Sequence, residues 1–208
     1  MRATPEAFLA ARDVSRETLG RLTTYAALLE KWNPAINLVA RSTLGDLWSR
    51  HFLDSTQVFD LRPAETGRWV DLGSGGGFPG LVLAILAADE APDLRVILVE
   101  SDQRKATFLR TAARETGVTV EVHASRIEDL APLDADVVSA RALAPLSPLL
   151  GLATPHLKAG GRGLFPKGAT HDREIAEALA SWSFEVQKYP SRTDPDSVIL
   201  SIGDLHHV

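Results

Sequence analysis

The sequence has no cysteine among its 208 residues, which excludes disulfides and thiolate metal sites. Its six histidines are scattered apart from the pair His206 and His207, so a metal enzyme is not expected. Long apolar runs are missing as well. The longest, residues 78–88, is interrupted by Pro79 and Gly80 and is too short to cross a bilayer, and no apolar run of signal-peptide length opens the sequence. These absences predict a cytoplasmic protein without a metal ion or a membrane partner.

An excess of positive charge is also missing, since the net charge is −5. This balance argues against a protein that coats nucleic acid through bulk positive potential. The charge is nevertheless uneven, because residues 128–136 hold four acids and no base. Residues 141–173 hold one acid, Asp172, and five bases, which are Arg141, Lys158, Arg162, Lys167 and Arg173. This second stretch is either a local basic face or ordinary solvated surface.

The N-terminal part of the chain has the periodicity of helices. Apolar residues recur at spacings of three and four from Leu19 to Leu29, behind an N-cap at Ser15, and the Trp-Asn-Pro sequence at 32–34 closes this predicted helix. A second helix is predicted over residues 43–61. A Pro/Gly-containing linker follows it. We therefore predict a helical extension over residues 1–62 and one compact unit over residues 63–208.

Strand and helix patterns alternate in the second part of the chain, which predicts an α/β fold with a largely parallel sheet. The predicted strands are residues 69–72, 95–99, 118–123, 137–140 and 163–165, and the predicted helices are residues 79–88, 103–116, 146–156 and 172–180. Two further strand patterns, 184–188 and 197–202, flank a turn-rich segment and predict an antiparallel hairpin. Such a finish is unusual for a dinucleotide fold and usual for the class I methyltransferase sheet.

A glycine cluster connects the first predicted strand to the helix that follows it. Gly75, Gly77 and Gly80 fit the dinucleotide pattern G-x-G-x-x-G. Asp71, Gly73, Gly75 and Gly77 fit the D-x-G-x-G-x-G spacing of methyltransferases that use S-adenosylmethionine. Glycine lets the backbone turn sharply and lie against a ligand. The spacing predicts a nucleotide-cofactor loop, without deciding between NAD and S-adenosylmethionine or fully excluding a loop that binds nothing.

Ligands of such sheets bind outside the carboxyl ends of the strands, where several polar residues of this sequence are predicted to lie. Glu100 ends the second strand, and its carboxylate can accept hydrogen bonds from both ribose hydroxyls of an adenosine cofactor. Asp71 either accepts from the methionine ammonium group or holds the glycine loop through backbone N–H groups. Arg141 ends a strand, where it could hold the cofactor, an RNA phosphate or a structural partner. Lys167 is either a phosphate contact or an ordinary loop lysine.

Four motifs together resemble the RsmG family of bacterial 16S rRNA guanine-N7 methyltransferases, also called glucose-inhibited division protein B. They are Asn37-Leu38 followed by Arg-His-Phe-Leu-Asp-Ser at 50–55, the loop at 71–80 with its Phe-Pro-Gly end, Ser-Ala-Arg-Ala at 139–142, and Lys167-Gly168. The resemblance covers residues 31–168. It implies a class I S-adenosylmethionine-dependent methyltransferase with a Rossmann-like, seven-stranded sheet that ends in an antiparallel hairpin.

The resemblance also implies the ligands and the residues that bind them. The cofactor is S-adenosylmethionine, which leaves as S-adenosylhomocysteine. Gly73 and Phe78 match family contacts in the loop, and Arg141 matches a contact on the methionine side, although Ala140 separates the serine and arginine that are adjacent in the family. The residues expected to bind the cofactor are Asp71, Gly73, Gly75, Gly77, Phe78, Glu100, Ile127, Glu128 and Arg141, with Ile127 and Glu128 near the adenine.

The implied partner is 16S rRNA or the small ribosomal subunit, with the guanine at conventional position 527 as the target and a monomer as the acting form. Guanine N7 carries a lone pair and no proton, so in-line methyl transfer to it needs no general base. Arg141 and Lys167 are expected to position the substrate, with Arg50, His51 and Asp54 as further candidates. A stacking role for Phe52 or Phe78 is also open, although core packing is the stronger expectation for Phe52.

Three alternatives stay open. The chain could methylate a different RNA or a small molecule, or it could be a noncatalytic, ribosome-associated module that binds a cofactor. The third alternative is an NAD-dependent oxidoreductase with a Tyr-x-x-x-Lys pair. It is disfavoured because neither Tyr25 nor Tyr189 has a lysine four residues later.

Overall fold

The computed structural model describes residues 4–208, and its centre is one seven-stranded sheet in the order β3-β2-β1-β4-β5-β7-β6. The strands are β1 Arg68–Leu72, β2 Arg95–Val99, β3 Glu121–His123, β4 Ala135–Ala140, β5 Leu157–Lys167, β6 Trp182–Pro190 and β7 Val198–His207. The first five strands are parallel to one another, whereas β7 runs antiparallel to both β5 and β6. The predicted α/β sheet with its closing antiparallel hairpin is confirmed.

Seven α-helices lie within the described residues. They are α1 Pro5–Ala11, α2 Arg16–Ile36, α3 Asp54–Asp60, α4 Gly80–Glu90, α5 Gln103–Thr116, α6 Leu146–Ala153 and α7 His171–Ala178. The bounds of α5 agree with those predicted, because both of its ends are determined locally. Oδ1 of Asp102 accepts hydrogen bonds from the N–H groups of Arg104 and Lys105, and Gly117 ends the helix at a φ of 66°.

Helix α2 begins behind the Ser15 cap as predicted, but the predicted end at residues 32–34 is wrong. The helix continues through Pro34 to Ile36 and ends at Asn37, which is left-handed with a φ of 48°. Oδ1 of the buried Asn33 accepts a hydrogen bond from the N–H of Val39 at 2.9 Å. This bond and the burial of Ile36 stabilise the extra turn despite the proline.

The second predicted helix, residues 43–61, is in fact three segments. A 3₁₀ helix spans Arg41–Asp46, a π-helix spans Leu47–Leu53, and only α3 is an α-helix. The π-helix has wider turns, so apolar spacing read with a period of 3.6 does not reveal it. π-Turns are often found at functional sites, and this one lies beside the cleft described below.

The sheet separates two apolar clusters. One lies beneath α4 and α5 and includes residues of α1, α2 and the π-helix, so the N-terminal helices pack on the same face of the sheet. The rings of Tyr25, Phe52 and Phe78 form a triangular cluster, in which the centroid of Tyr25 lies 5.5 Å from each of the other two and those two lie 5.9 Å apart. The other cluster lies beneath α6 and α7. Residue Phe78 thus anchors the glycine loop to the N-terminal helices.

The remaining element bounds differ from the predicted ones by a few residues, and β5 differs most. It runs from Leu157 to Lys167 instead of 163–165, because backbone pairing with β4 and β7 continues where the apolar pattern stops. No helix within residues 4–208 is both long and apolar enough to span a membrane. No group of three or more His, Asp or Glu side chains in that range is placed to hold a metal ion.

Candidate cofactor loop and substrate cleft

The glycine loop leaves the end of β1 and enters α4 through three left-handed glycines. Gly73, Gly75 and Gly77 have φ values of 64°, 55° and 96°, which disfavour any residue with a Cβ. The N–H of Ser74 donates to the carbonyl of Val99 at 3.0 Å, which fixes the loop against the end of β2. The loop is therefore a rigid turn at the carboxyl edge of the sheet.

Asp71 is fully buried beneath this loop and holds it from inside. Its Oδ2 accepts from the N–H of Gly80 at 3.2 Å, and its Oδ1 accepts from the hydroxyl of Ser139 at 2.7 Å. The same hydroxyl oxygen accepts from the indole of Trp69 at 2.9 Å. Burial raises the pKa of Asp71 to about 6, against the lowering effect of the Ser139 hydrogen bond. Of the two roles predicted for Asp71, the contacts are those of the loop-holding role.

Glu100 lies at the carboxyl end of β2, where its carboxylate is fixed by two backbone N–H groups. Oε2 accepts from Gly75 and Oε1 accepts from Asp102, both at 2.8 Å. A Cβ added at Gly75 would meet nothing closer than 3.8 Å, so space is open on that side of the loop. An ordered carboxylate beside open space fits a ribose with its two hydroxyl donors.

The segment after β3 contains the two residues that are predicted to lie near the adenine. Ile127 and Glu128 lie in a 3₁₀ turn over Ile127–Asp129, with Ile127 buried and Glu128 exposed. Two residues before this turn, the hydroxyl of Ser125 is buried and has no hydrogen-bond partner among the described residues. A buried hydroxyl without a partner is costly, and a polar ligand would relieve that cost.

Arg141 follows the last residue of β4 and contacts the cofactor loop. Its guanidinium lies 4.9 Å from the ring centroid of Phe78, a cation–π arrangement. Nη2 donates to Nδ1 of His51 at 2.8 Å, and Nη1 donates to the carbonyl of Arg50 at 3.4 Å. Burial lowers the pKa of Arg141, and the negative charge of Asp54 counteracts this effect. The structural partners of this arginine are therefore the Phe78 ring of the glycine loop and the π-helix residues Arg50 and His51.

His51 is a hydrogen-bond acceptor for Arg141 and a donor to Thr43. Because guanidinium nitrogens only donate, Nδ1 of His51 must accept, and the proton lies on Nε2, which is 3.0 Å from Oγ1 of Thr43. That hydroxyl donates in turn to the carbonyl of Ala40 at 2.8 Å. Burial, together with the charges of Arg141 and Arg50, lowers the pKa of His51 to about 3. His51 is thus neutral near pH 7, with both nitrogens engaged.

A cleft of about 730 Å³ opens between the π-helix, the ends of β4 and β5, and the loop that joins β6 to β7. Five predicted substrate residues line it, namely Arg50, His51, Asp54, Arg141 and Lys167. It is also lined by residues that the sequence did not single out, namely Thr43, Glu174, Ser191, Thr193 and Asp194. The predicted cofactor residues other than Arg141 lie outside the cleft, so Arg141 alone among them borders both regions.

Residues 18–198 match the family GidB, described as rRNA small subunit methyltransferase G. The chain belongs to this family. It is 59% identical over 198 residues to ribosomal RNA small subunit methyltransferase G of Cereibacter sphaeroides strain ATCC 17025, which covers 95% of each chain. The protein of the same name from Ruegeria pomeroyi is 56% identical and covers 94% of this chain and 96% of its own. The predicted family is confirmed.

Solved structures place the fold among the S-adenosylmethionine-dependent methyltransferases. Cofactor-bound Rv0187 from MTB is 17% identical, covers 98% of this chain and 97% of its own, and superimposes with a TM-score of 0.60. The O-methyltransferase TomG from Streptomyces achromogenes, in complex with SAM, is 16% identical, covers 88% of this chain and 89% of its own, and has a TM-score of 0.56. The predicted Rossmann-like fold is confirmed, and S-adenosylmethionine is the cofactor that agrees with family and fold.

In this member of the rRNA small subunit methyltransferase G family, Lys167 is held from both sides at the end of β5. Its Nζ donates to Oε2 of Glu174 and to the carbonyl of Ala144, both at 2.8 Å, and its side chain is only 9% exposed. The two predicted roles of Lys167 are a phosphate contact and an ordinary loop lysine, whereas the structure places it in an ion pair with Glu174. Its contact with phosphate stays a prediction.

The aromatic stacking prediction is not supported by the geometry. Phe52 is fully buried and packs edge-on against Trp48, as expected for a core residue. Phe78 is 3% exposed, because Arg141 covers one part of its ring and Tyr25 another. Neither ring presents a free face to a base.

The basic stretch at 141–173 does not form one face. Lys158 pairs with Asp136 at the amino-terminal end of β4, far along the strand from the end that carries Arg141. Arg162 donates to the hydroxyl of Ser201 at 2.7 Å on β7. The five bases share one stretch of the sequence, but β4 and β5 place Arg141 and Lys167 at the carboxyl ends of the strands and Lys158 near the amino end of β5.

Proposed function

We propose that this methyltransferase transfers a methyl group from S-adenosylmethionine to N7 of a guanine in 16S rRNA. Family resemblance supports the guanine at conventional position 527. The observation that carries the proposal is the position of Arg141, which contacts Phe78 of the glycine loop and also lines the cleft. The acting form is the monomer, because loop and cleft lie in one chain, and the partner is 16S rRNA or the small ribosomal subunit.

The residues around the loop fit an adenosine cofactor. Glu100 would accept from the ribose hydroxyls, the open side of Gly75 would face the sugar, and the turn with Ile127 and Glu128 would border the adenine. Asp71 acts by fixing the loop, since both of its oxygens accept hydrogen bonds from within the protein. When bound, S-adenosylmethionine supplies an electrophilic methyl group on a sulfonium centre.

The cleft has the features needed for a reaction without proton abstraction. Guanine N7 offers an in-plane lone pair and carries no proton, so in-line transfer requires alignment more than a base. His51 is engaged at both nitrogens and holds Arg141, which suits positioning and not general-base catalysis. Correct placement of two reactants alone can contribute about 7–11 kcal/mol to lowering the barrier.

The test is mass spectrometry of 16S rRNA from cells with and without the gene, which should show N7-methylguanosine only when the gene is present. Purified protein with S-adenosylmethionine should restore the modification to undermethylated subunits or free rRNA, and this comparison also identifies the preferred substrate. An unchanged level of N7-methylguanosine would contradict the proposal. Calorimetry with S-adenosylmethionine and with NAD provides an independent check, because binding of NAD alone would support an oxidoreductase.

A further inference from the structure

Asp54 is the first residue of α3 and lines the cleft. Only one of its two carboxylate oxygens accepts hydrogen bonds from the described residues. Its Oδ1 accepts from the hydroxyls of Ser191 and Thr193, at 3.3 and 3.2 Å. Its Oδ2 accepts no hydrogen bond from the described part of the chain. The two hydroxyls therefore orient the carboxylate and leave its second oxygen for a ligand in the cleft.

The surroundings of Asp54 favour a ligand that donates hydrogen bonds. Burial and the negative charge of Asp194 raise the pKa of Asp54, against the lowering effects of Arg141 and the two hydroxyls. Arg141 and Asp54 line the same cleft, but within residues 4–208 each binds other groups and the two form no ion pair with each other. His51, which lines the same cleft and accepts from Arg141, is neutral near pH 7. Asp54 and Arg141 thus line one cleft with opposite charges and without a direct contact between their side chains.

Guanine is the RNA base whose edge matches such an acceptor. Its N1–H and its N2 amino group are adjacent donors, whereas adenine has an acceptor at N1 and no amino group at C2. One carboxylate oxygen has two acceptor positions, enough for both guanine donors. N7 lies on the opposite side of the purine, so a contact at N1 and N2 leaves N7 free for methylation.

We propose that Asp54 determines the specificity for guanine by accepting hydrogen bonds from N1–H and the N2 amino group of the target base. This inference rests on the proposed function and names the residue that selects its substrate. Methylation at N7 places positive charge on the purine, which makes N1–H and the amino group stronger donors. The contact with Asp54 therefore strengthens as the methyl group is transferred, and its loss lowers kcat as well as raising KM.

The test uses small subunits reconstituted with 16S rRNA that carries guanosine or inosine at the methylated position. That position is first located with the unmodified protein by mass spectrometry. Inosine keeps N7, O6 and N1–H but lacks the amino group at C2. The unmodified protein should have a kcat/KM about tenfold lower for inosine than for guanosine, the effect of one hydrogen bond to a charged group. Equal values of kcat/KM for guanosine and inosine would overturn the inference, independently of any result with variants of the protein.

Asp54→Asn provides the second arm, because its amide oxygen can still accept from Ser191 and Thr193 while its NH₂ group faces the cleft. Methylation of guanosine should fall about 100-fold or more, and the tenfold preference over inosine should shrink to about twofold or less. Retention of the full preference by a variant with normal melting temperature and normal S-adenosylmethionine affinity would overturn the inference.

Asp194→Asn is the matched control. It makes the same change of charge in the same cleft, but Asp194 already accepts from the N–H of Asp196 at 3.1 Å and from the hydroxyl of Ser197 at 3.0 Å. It should keep the guanosine preference, and loss of the preference in both variants would assign the effect to cleft charge and overturn the inference. Failure of the unmodified protein to methylate guanosine at all would instead overturn the proposed function itself.

Discussion

Nη2 of Arg141 lies 2.8 Å from Nδ1 of His51 and donates a hydrogen bond to it. This bond joins the end of β4 to the π-helix Leu47–Leu53, two elements that are 90 residues apart in the chain. The chain of donors continues in one direction from Arg141 through His51 and Thr43 to the carbonyl of Ala40. The N-terminal helices thereby hold the guanidinium against Phe78 of the glycine loop.

Replacement of His51 should show that it acts by positioning Arg141. His51→Leu removes the acceptor, so kcat/KM for rRNA methylation should fall about 10- to 100-fold, the effect of one to two hydrogen bonds to a charged group. His51→Asn should restore part of the activity, since an amide oxygen can accept from Nη2. The measurement is steady-state methyl transfer, with Thr43→Val as a control that keeps the bond between His51 and Arg141. Equal activity of the leucine and asparagine variants would contradict the positioning role.

The stability of the protein should respond to the protonation of His51. The pKa of His51 is about 3 in the folded state and about 6.5 in an unfolded chain, so the unfolded chain binds more protons between these values. The free energy of unfolding therefore rises with pH across this window, and the contribution of His51 is lost as the pH falls from about 6.5 towards 3. Between pH 7 and pH 4.5 this loss should be on the order of 2 kcal/mol.

Denaturant unfolding at both pH values checks this effect by comparison with His51→Gln. The unmodified protein should lose about 2 kcal/mol more than the variant. Asp71 acts in the opposite sense, because its pKa of about 6 in the folded state lies above the ordinary 3.8, and its contribution declines as the pH rises through that interval. Because Asp71 is present in both proteins, its contribution cancels when the unfolding free energies of the two proteins are subtracted. Parallel pH profiles of the two proteins would show that His51 does not titrate as described.

Two glycines of the loop should respond differently to alanine. At Gly77, where φ is 96°, an added Cβ would lie 2.9 Å from Cβ of Leu81 and close to the hydroxyl of Tyr25, so unfolding free energy should fall by about 3 kcal/mol. At Gly75 the added Cβ meets no atom within 3.8 Å, so the loss should be about 1 kcal/mol. Gly75→Ala should instead reduce S-adenosylmethionine affinity at least about tenfold, because the methyl group projects into the open side of the loop.

Thermal unfolding and calorimetry distinguish these two effects. Gly20→Ala is the matched control, since Gly20 lies within α2 with nothing within 4 Å of an added Cβ, and this change should stabilise the protein by up to about 1 kcal/mol. An unaltered cofactor affinity in Gly75→Ala would mean that the ligand does not use that side of the loop.

The features that local chemistry determines could be predicted from the sequence. The helix pattern of residues 103–116 predicts the bounds of α5, and the glycines with Glu100 predict the cofactor edge, because each signal lies within the element that it defines. The sequence indicates Asp54 as a candidate site residue, but it does not indicate the two hydroxyl groups that bind this carboxylate. Ser191 and Thr193 lie 137 and 139 residues away, in a segment that reads only as a turn. Contacts of that range depend on how β6 and β7 return to the sheet.

The dependence on distant parts of the chain also bears on the two wrong predictions in the N-terminal part, which are the end of α2 and the single helix over residues 43–61. The continuation of α2 through Pro34 depends on the hydrogen bond that Oδ1 of Asn33 accepts from the N–H of Val39 and on burial, both of which require the rest of the fold. The π-helix spans only seven residues, which is too short for the spacing of its apolar residues to be distinguished from that of an α-helix. The ion pair of Lys167 is likewise not visible in the sequence, since its partner Glu174 belongs to the next helix.

The ion pair of Lys167 with Glu174 is compatible with two roles of the lysine, namely a contact with an RNA phosphate and a purely structural role. If Lys167 also contacts an RNA phosphate, Lys167→Ala should weaken rRNA methylation, leave S-adenosylmethionine affinity nearly intact, and reduce the slope of log affinity against log salt by about 1. The local fold should survive, since Glu174 still accepts from the N–H of Leu146 and the hydroxyl of Thr170. RNA binding measured at several salt concentrations provides the slope.

Two further variants separate a phosphate contact from a structural role for Lys167. Glu174→Gln removes the partner and keeps the lysine, so it should preserve the salt slope if the lysine meets a phosphate. Lys158→Ala removes an equivalent charge beside Asp136 at the opposite end of β5, and it should leave the slope unchanged. If Glu174→Gln and Lys167→Ala impair methylation equally with no change of slope, the ion pair shapes the cleft and the lysine does not touch RNA. Equal loss of cofactor binding in Lys167→Ala would also contradict the phosphate role, because that contact lies on the substrate side of Arg141.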